Sequence, residues 1–255
     1  MSVFIKENFI DNDSLIKEVE ALKLLKKTLD DSNNSLIKIP KIYNFDKKHI
    51  EMEKINQSLP SKKFQESFAL GLAKLHSIKQ KEYGFYDDNY IGLNIQKNIL
   101  SENWGEFFYK YRLLYQINLI KDLEIKEHFL ATLENLKNRL IDFLNENISY
   151  ASLVHGDLWS GNVLYSNTDV YLIDPAIYYG DSEVDIAMTE MFGGFKNEFY
   201  LTYKKEKPLS QNYEKKKIIY NLYHFLNHYN IFGSSYLSKS VSYLEFIKSS
   251  NLKSY

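Results

Sequence analysis

Residues 151–175, ASLVHGDLWSGNVLYSNTDVYLIDP, admit few backbone paths. Ser152-Leu153-Val154 run apolar into His155-Gly156-Asp157, and Val163-Leu164-Tyr165 lead out of the polar loop that follows. Asn167-Thr168-Asp169 is a cluster of turn formers, after which Val170 to Ile173 run apolar into Asp174-Pro175. The pattern predicts a strand, a tight polar loop, a strand, a turn and a strand. Asp157, Asn162 and Asp174 each fall at a strand end. Gly156 predicts a backbone conformation or a close approach that a side chain would block.

Any one of these polar residues, taken alone, is a plausible turn residue. Together and in this order they form a set suited to phosphoryl transfer. The Asp157 carboxylate can accept the proton of an attacking hydroxyl. Asn162 offers a neutral amide oxygen to Mg²⁺ without placing a second negative charge beside the base. Asp174 offers an anionic oxygen, and Mg²⁺ prefers such hard ligands while keeping several waters.

HGDLWSGNVL at residues 155–164, followed by LIDPAIYYGDSEVDIAMTEMFGGF at 172–195, resembles the fructosamine kinase (ketosamine kinase) family. HGD-x-x-x-x-N alone would point only to the larger aminoglycoside and choline phosphotransferase group. The Trp159-Ser160-Gly161 insert, the YYGD run at Tyr178 to Asp181 and the stretch NLYHFLNHYNIFGSSY from Asn221 to Tyr236 narrow it. The resemblance extends from about Phe4 to the end of the chain and is strongest from Leu153 to Tyr236. It implies an α+β, two-lobed, protein-kinase-like fold. Residues 1–55 would form a small N-terminal nucleotide-binding sheet lobe that reads as truncated, and residues 56–255 a large, mainly helical catalytic and acceptor-binding lobe.

Val3 to Lys6 reads as a short strand ending in a lysine. In the helix that follows, Leu15, Val19, Leu22, Leu25 and Leu29 form one apolar stripe, with Asp13 or Ser14 as the cap. By themselves Lys6 and Glu18 are a surface lysine and a solvated helix acid. The resemblance makes them the lysine that touches the ATP phosphates and the glutamate that fixes it. Glu20 points elsewhere around the helix. Leu36 to Ile39, Ile42 to Phe45 and His49 to Ile55 are expected to complete the small sheet. The family's hinge, which reads adenine through backbone groups, falls on Met52, Glu53, Lys54 and Ile55.

The remainder is expected to be mainly helical, with helices over 62–78, 104–119, 125–144, 181–191, 197–204, 213–231 and 236–249. Residues 83–93 read as a loop. Within it, Asp87-Asp88-Asn89-Tyr90-Ile91-Gly92 matches an element that the resemblance places near the acceptor, so Asn89 is a substrate candidate; simple turn formation is the equal alternative. Trp159 could pack on a sugar ring or the aliphatic part of an adduct, or it could pack the loop against the large lobe. His224 and His228 lie one helical turn apart, and without a third ligand in the local pattern they read as packed or pocket-lining, with His228 a candidate to touch substrate. His155 and Asp185 are expected to support the catalytic loop. Asp185 would receive backbone hydrogen bonds that hold Asp157 in place.

Charge balance adds exclusions. Lys and Arg total 32 against 33 Asp and Glu, which gives no general affinity for nucleic acid or membrane. The chain has no cysteine and so no disulfide, thiolate metal site or thiol switch. No apolar run is long enough for a membrane span, and the charged N-terminus does not read as a signal peptide, so a cytoplasmic location is expected.

The resemblance thus implies an ATP- and Mg²⁺-dependent kinase acting on a ketosamine, free or protein-bound. Phosphate would go to the hydroxyl of the sugar's third carbon, and the product would then decompose and release the amine. A kinase of the aminoglycoside or choline type and a non-catalytic nucleotide- or sugar-binding module are the alternatives. Oligomeric state is not legible. The first glycine is Gly71, so the glycine-containing hairpin that covers phosphates in kinase-like folds is missing ahead of Lys6. The expectation is that either the start lies downstream of the true one or the element has been lost, and that the chain as it stands binds ATP weakly.

Overall fold

A computed structural model describes residues 2–148, 150–166 and 169–252. The small lobe is an antiparallel sheet of β1 (Val3–Glu7), β2 (Ile42–Phe45) and β3 (His49–Glu53) in the order β1-β3-β2. The helix α1 (Ser14–Asp31) packs against it. Its apolar stripe is buried as expected but serves two cores. Leu15 and Val19 pack with Ile50 and Met52 under the sheet, whereas Leu25 and Leu29 join the large lobe. Four buried residues among those described are a thin core, and α1 ties it to the rest.

Leu36–Ile39 does not complete this sheet. Lys38 pairs instead with Tyr171 of the large lobe: its amide donates to the Val170 carbonyl at 2.8 Å, and its carbonyl accepts from the Leu172 amide at 3.0 Å. Burial decides this, because Ile37 is 2% exposed in the cluster of Leu25, Leu29, Phe68 and Leu72.

The large lobe opens with α2 (Lys62–His76), capped by the Ser61 hydroxyl accepting from the Phe64 amide. Residues 79–101 are not a featureless loop. They carry β4 (Lys79–Gln80), β5 (Tyr83–Gly84), a hairpin of β6 (Asn89–Ile91) and β7 (Asn94–Gln96), and β8 (Leu100–Ser101). The helix expected over 104–119 is interrupted. α3 (Trp104–Phe108) passes through a π-helical stretch at Tyr109–Leu114 into α4 (Tyr115–Asn118). Arg112 lies in that stretch, fully buried, with its guanidinium 4.1 Å from the Tyr178 ring centroid and donating to the Asn98 side chain at 2.8 Å. α5 (Leu123–Glu146) follows, with Phe129, Leu133, Leu136 and Leu140 inward.

The strands β9 (Ala151–Val154), β10 (Val163–Ser166) and β11 (Asp169–Leu172) match the sequence pattern, and the turn residues Asn167 and Thr168 lie outside the described residues. β9 joins β12 (Tyr178–Gly180) in a second sheet of order β4-β9-β12-β5-β8, and β10 pairs with β11 alone. The helices α6 (Glu183–Met191), α7 (Asn197–Glu206), α8 (Tyr213–Phe232) and α9 (Leu237–Ser249) close the lobe. No helix is long and apolar enough to cross a membrane among the described residues.

Candidate active site

Leaving β9, the chain must bend sharply against β12, and Gly156 makes the bend at φ 80°. A β-carbon there would lie 2.0 Å from the Ala176 carbonyl oxygen, so no other residue fits without moving the backbone. Asp185, 1% exposed on α6, grips the bend. Its two oxygens accept from the His155 amide at 2.7 Å and the Gly156 amide at 2.9 Å. Burial pushes this carboxyl up, but the hydrogen bond and charge of His76 together with His155 outweigh it, and the group stays below the usual carboxylate range. His76, at the end of α2, meets Asp185 through Nε2 at 3.1 Å and the Tyr203 hydroxyl through Nδ1 at 2.8 Å. Nothing in the local sequence marks His76, because both partners are more than a hundred residues away. The His155 ring contacts the Ile173 carbonyl at 2.9 Å, and burial lowers its pKa, so as a neutral group it ties the loop after β9 to the one after β11.

Asp157 projects from this bend into the cleft. The Asn162 amide donates to its backbone carbonyl at 2.9 Å and reaches its carboxylate at 3.3 Å. That arrangement spends the amide nitrogen and leaves the Asn162 side-chain oxygen free of it. Burial raises the Asp157 pKa to about 7, with Asp174 and Asp185 adding to the rise and Asn162 opposing it. A carboxylate poised there suits a general base near neutral pH.

Asp174 ends the β11 arm with φ 53°, a left-handed conformation in a residue other than glycine. Lys6 crosses from the small lobe to it: its ammonium is 2.8 Å from Asp174 and 2.7 Å from Glu18. Burial pulls the Lys6 pKa down, but its two acids outweigh that and hold it up. Burial raises Asp174, and Lys6 brings it back below the usual range. Glu18 is raised to about 7 by burial, against the pull of Lys6, and its second oxygen is buried with no hydrogen-bond partner among the described residues.

Lys6, Glu18, Asp157, Asn162 and Asp174 line a cleft of about 340 Å³. Asp157, Trp159 and Gly92 also line a second cavity of about 440 Å³, walled by Phe192, His228, Phe232 and Tyr236. Trp159 is 39% exposed between the two, and its indole lies against Gly161, where a β-carbon would sit 2.2 Å from the ring. Part of the Trp159 ring thus packs its own loop, and its edge meets Phe192 of the large lobe.

Other candidates fall differently. Met52–Ile55 do not line the cleft around Asp157: the Met52 side chain is buried under the small sheet, and the Glu53 and Lys54 amides donate to the Lys41 and Ser2 carbonyls. Asn89 reaches the cleft wall with its amide already committed. It donates to the Ile177 carbonyl at 2.8 Å and accepts from Gln96 at 2.8 Å and Asn98 at 3.0 Å, so it shapes the β6–β7 hairpin and offers substrate no free acceptor. His224 is buried on α8 beneath His228, held neutral with its pKa lowered to about 3, chiefly by burial. The sequence reading missed the link between that hairpin and α1, in which the Tyr90 hydroxyl donates to Asp13 at 2.7 Å and Lys17 stands 3.6 Å from Asp87.

Among the described residues no three His, Asp or Glu converge on a metal-sized site. The candidate donors to a cation are the Asp174 carboxylate and the Asn162 side-chain oxygen, both on the cleft wall. A set that sparse fits Mg²⁺ carrying waters and phosphate oxygens, and does not fit a dedicated protein cage.

A family model described as fructosamine kinase matches residues 1–250. A protein named probable ketoamine kinase in Vibrio parahaemolyticus is 39% identical over 229 residues, 88% of this chain and 76% of that relative. A chloroplastic protein-ribulosamine 3-kinase of Arabidopsis thaliana is 38% identical over 177 residues, 68% of this chain and 54% of its own length. A crystal structure of a candidate fructosamine-3-kinase from Haemophilus somnus superposes with a TM-score of 0.81 at 29% identity, covering 96% of this chain and 82% of that one.

Proposed function

The chain belongs to the fructosamine kinase family, a family of phosphotransferases, and from that premise we propose that it moves the γ-phosphate of ATP onto a hydroxyl of a ketosamine. The observation that carries this reading is the position of Asp157, shared by a charged cleft and an apolar cavity. A base there can face a nucleotide on one side and an acceptor on the other.

In this reading Asp157 takes the proton from the acceptor hydroxyl as its oxygen bonds to phosphorus, and the bond to the β–γ bridging oxygen breaks to release ADP. Lys6, steadied by Glu18, meets the phosphates. Asp174 and the Asn162 oxygen would hold Mg²⁺, which supplies charge neutralisation on the transferring group when bound. Asp185 and His155 keep Asp157 in position without touching substrate. Phosphorylation at the third carbon would destabilise the adduct and free the amine, a deglycation.

The test is ATP turnover with fructosamine and ribulosamine acceptors beside choline and aminoglycosides, with the phosphorylated product identified by mass. Turnover confined to the ketosamines is expected. ADP formation independent of the acceptor, or confined to choline or aminoglycosides, overturns the reading.

A further inference from the structure

The second cavity is walled by rings that the fold leaves uncovered. Phe192 is 44% exposed, Phe232 62% and Trp159 39%, although each adjoins a well-packed lobe. They form a continuous series. Trp159 meets Phe192 at 6.2 Å between centroids, Phe192 meets His228 at 5.4 Å, and His228 meets Phe232 at 5.6 Å and Tyr236 at 5.0 Å. Exposed apolar surface gathered beside a reactive acid marks a binding wall.

Charge distinguishes this wall from a plain apolar one. Among the described residues no Lys or Arg lines the cavity, and the one acidic side chain there is Asp157. Burial lowers the His228 pKa, and the contact of its Nδ1 with the His224 carbonyl at 2.7 Å makes that nitrogen the donor. The ring is then neutral, with a lone pair on Nε2. Ring faces, a lone pair and a carboxylate all favour a cation.

We propose that Trp159, Phe192, His228, Phe232 and Tyr236 form a cage for the protonated secondary amine of the acceptor, so that the enzyme selects sugars carrying an ammonium at the first carbon. The proposal rests on the reading of the acceptor as a ketosamine. The distances are compatible. The reacting hydroxyl must sit within hydrogen-bond reach of Asp157, roughly 2.6–3.2 Å. In a ketosamine the nitrogen lies only a few bonds from that hydroxyl, which carries it toward the rings lining the same cavity. Ammonium–ring attraction grows as water is excluded, and the partly enclosed wall places it in the range that discriminates several-fold between a cation and its neutral isostere.

The experiment compares 1-alkylamino-1-deoxyfructose with the matching 1-O-alkyl ether of fructose, in which a neutral oxygen replaces the ammonium. Kd is measured by calorimetry and kcat/KM by product formation, at pH 7.5. The amine is expected to bind about 5- to 30-fold more tightly, the span of one cation–ring contact. Phe192→Leu with Phe232→Leu, which keeps apolar bulk and removes the ring faces, is expected to cut that ratio by about 5-fold, the amine losing more affinity than the ether. Equal Kd for amine and ether in the native protein, or an unchanged ratio in the double variant, overturns the cage. If neither sugar is phosphorylated yet the binding ratio holds and falls in the variant, the kinase reading fails and the cage stands.

Discussion

The two walls of the cleft are built to different tolerances. On the large-lobe side, Asp157 stands on a bend gripped by Asp185, which is itself gripped by His76, all within a continuous core. On the small-lobe side, Lys6 sits on a sheet-edge strand whose Val3, Phe4 and Ile5 are 45%, 48% and 56% exposed, and the core beneath it has four buried residues. Across the cleft the walls meet through polar contacts, Lys6 to Asp174 and Lys17 and Tyr90 to the acids that join α1 and the β6–β7 hairpin, while behind it the apolar half of α1 ties the lobes together. Hydrogen-bonded, buried geometry fixes Asp157, whereas Lys6 is held by two carboxylates, and in the proposed reaction a nucleotide could rearrange those charges. Damage to the first wall should therefore appear in chemistry, and damage to the second in nucleotide binding.

The severest test of that division is Asp157→Asn. It keeps the shape and removes the proton acceptor, so kcat is expected to fall by about 10²–10⁴-fold with ATP affinity within a few-fold. Parallel measurement of single-turnover rate and ATP Kd checks this, and an equal loss in both would erase the difference between the walls.

Next come the two metal candidates. Asp174→Ala removes the anionic ligand and the anchor of Lys6, so both kcat and ATP affinity should drop, on the order of 10²-fold in kcat/KM, with little rescue by raised Mg²⁺. Asn162→Ala should cost about tenfold less and be partly rescued, since water can replace a neutral ligand. A Mg²⁺ titration of both variants sharpens the comparison, and the reverse order would exchange the two roles.

Glu18→Gln probes the weaker wall. The amide holds Lys6 less firmly, and KM for ATP is expected to rise about 10-fold with kcat within 3-fold, in keeping with a contact that positions a charge-bearing residue. A fall in kcat alone would move Glu18 into the chemistry.

The smallest effects are in pH dependence. Burial raises Asp157 to about 7, so kcat/KM should decline on the acid side from near neutrality, tenfold per pH unit below the pKa. The stability sign follows from the same shift. A carboxyl whose folded pKa lies above its unfolded value gives its stabilising contribution fully below about pH 4 and loses it as pH rises through about 7. Asp157→Asn escapes that loss, so the variant should gain a few kcal/mol, roughly 4 at most, over the native protein at pH 8 and nothing at pH 3.5. Thermal melts across that range read it directly.

Much of the site was legible because it is local. His155, Asp157, Asn162 and Asp174 lie within a single stretch whose apolar runs and turn formers dictate strand ends, and a strand end next to a loop is where a side chain can be both fixed and accessible. The stripe of α1 was legible for the same reason, since its period is a property of one helix. Local pattern could not say that this stripe is divided between two cores, or that Leu36–Ile39 would leave the small sheet to pair with Tyr171. Both follow from which buried surface is nearest in space, a quantity no window of sequence contains. His76 under Asp185 and Tyr90 on Asp13 belong to the same class, contacts between residues distant in the chain whose own neighbours look ordinary. The sequence by itself determined the candidate groups and their order. The tertiary structure decided that Asp157 would face both a charged cleft and a ring of aromatic side chains, because only packing brings α6, α8 and the catalytic loop to one cavity and excludes enough water there to raise the pKa of an aspartate.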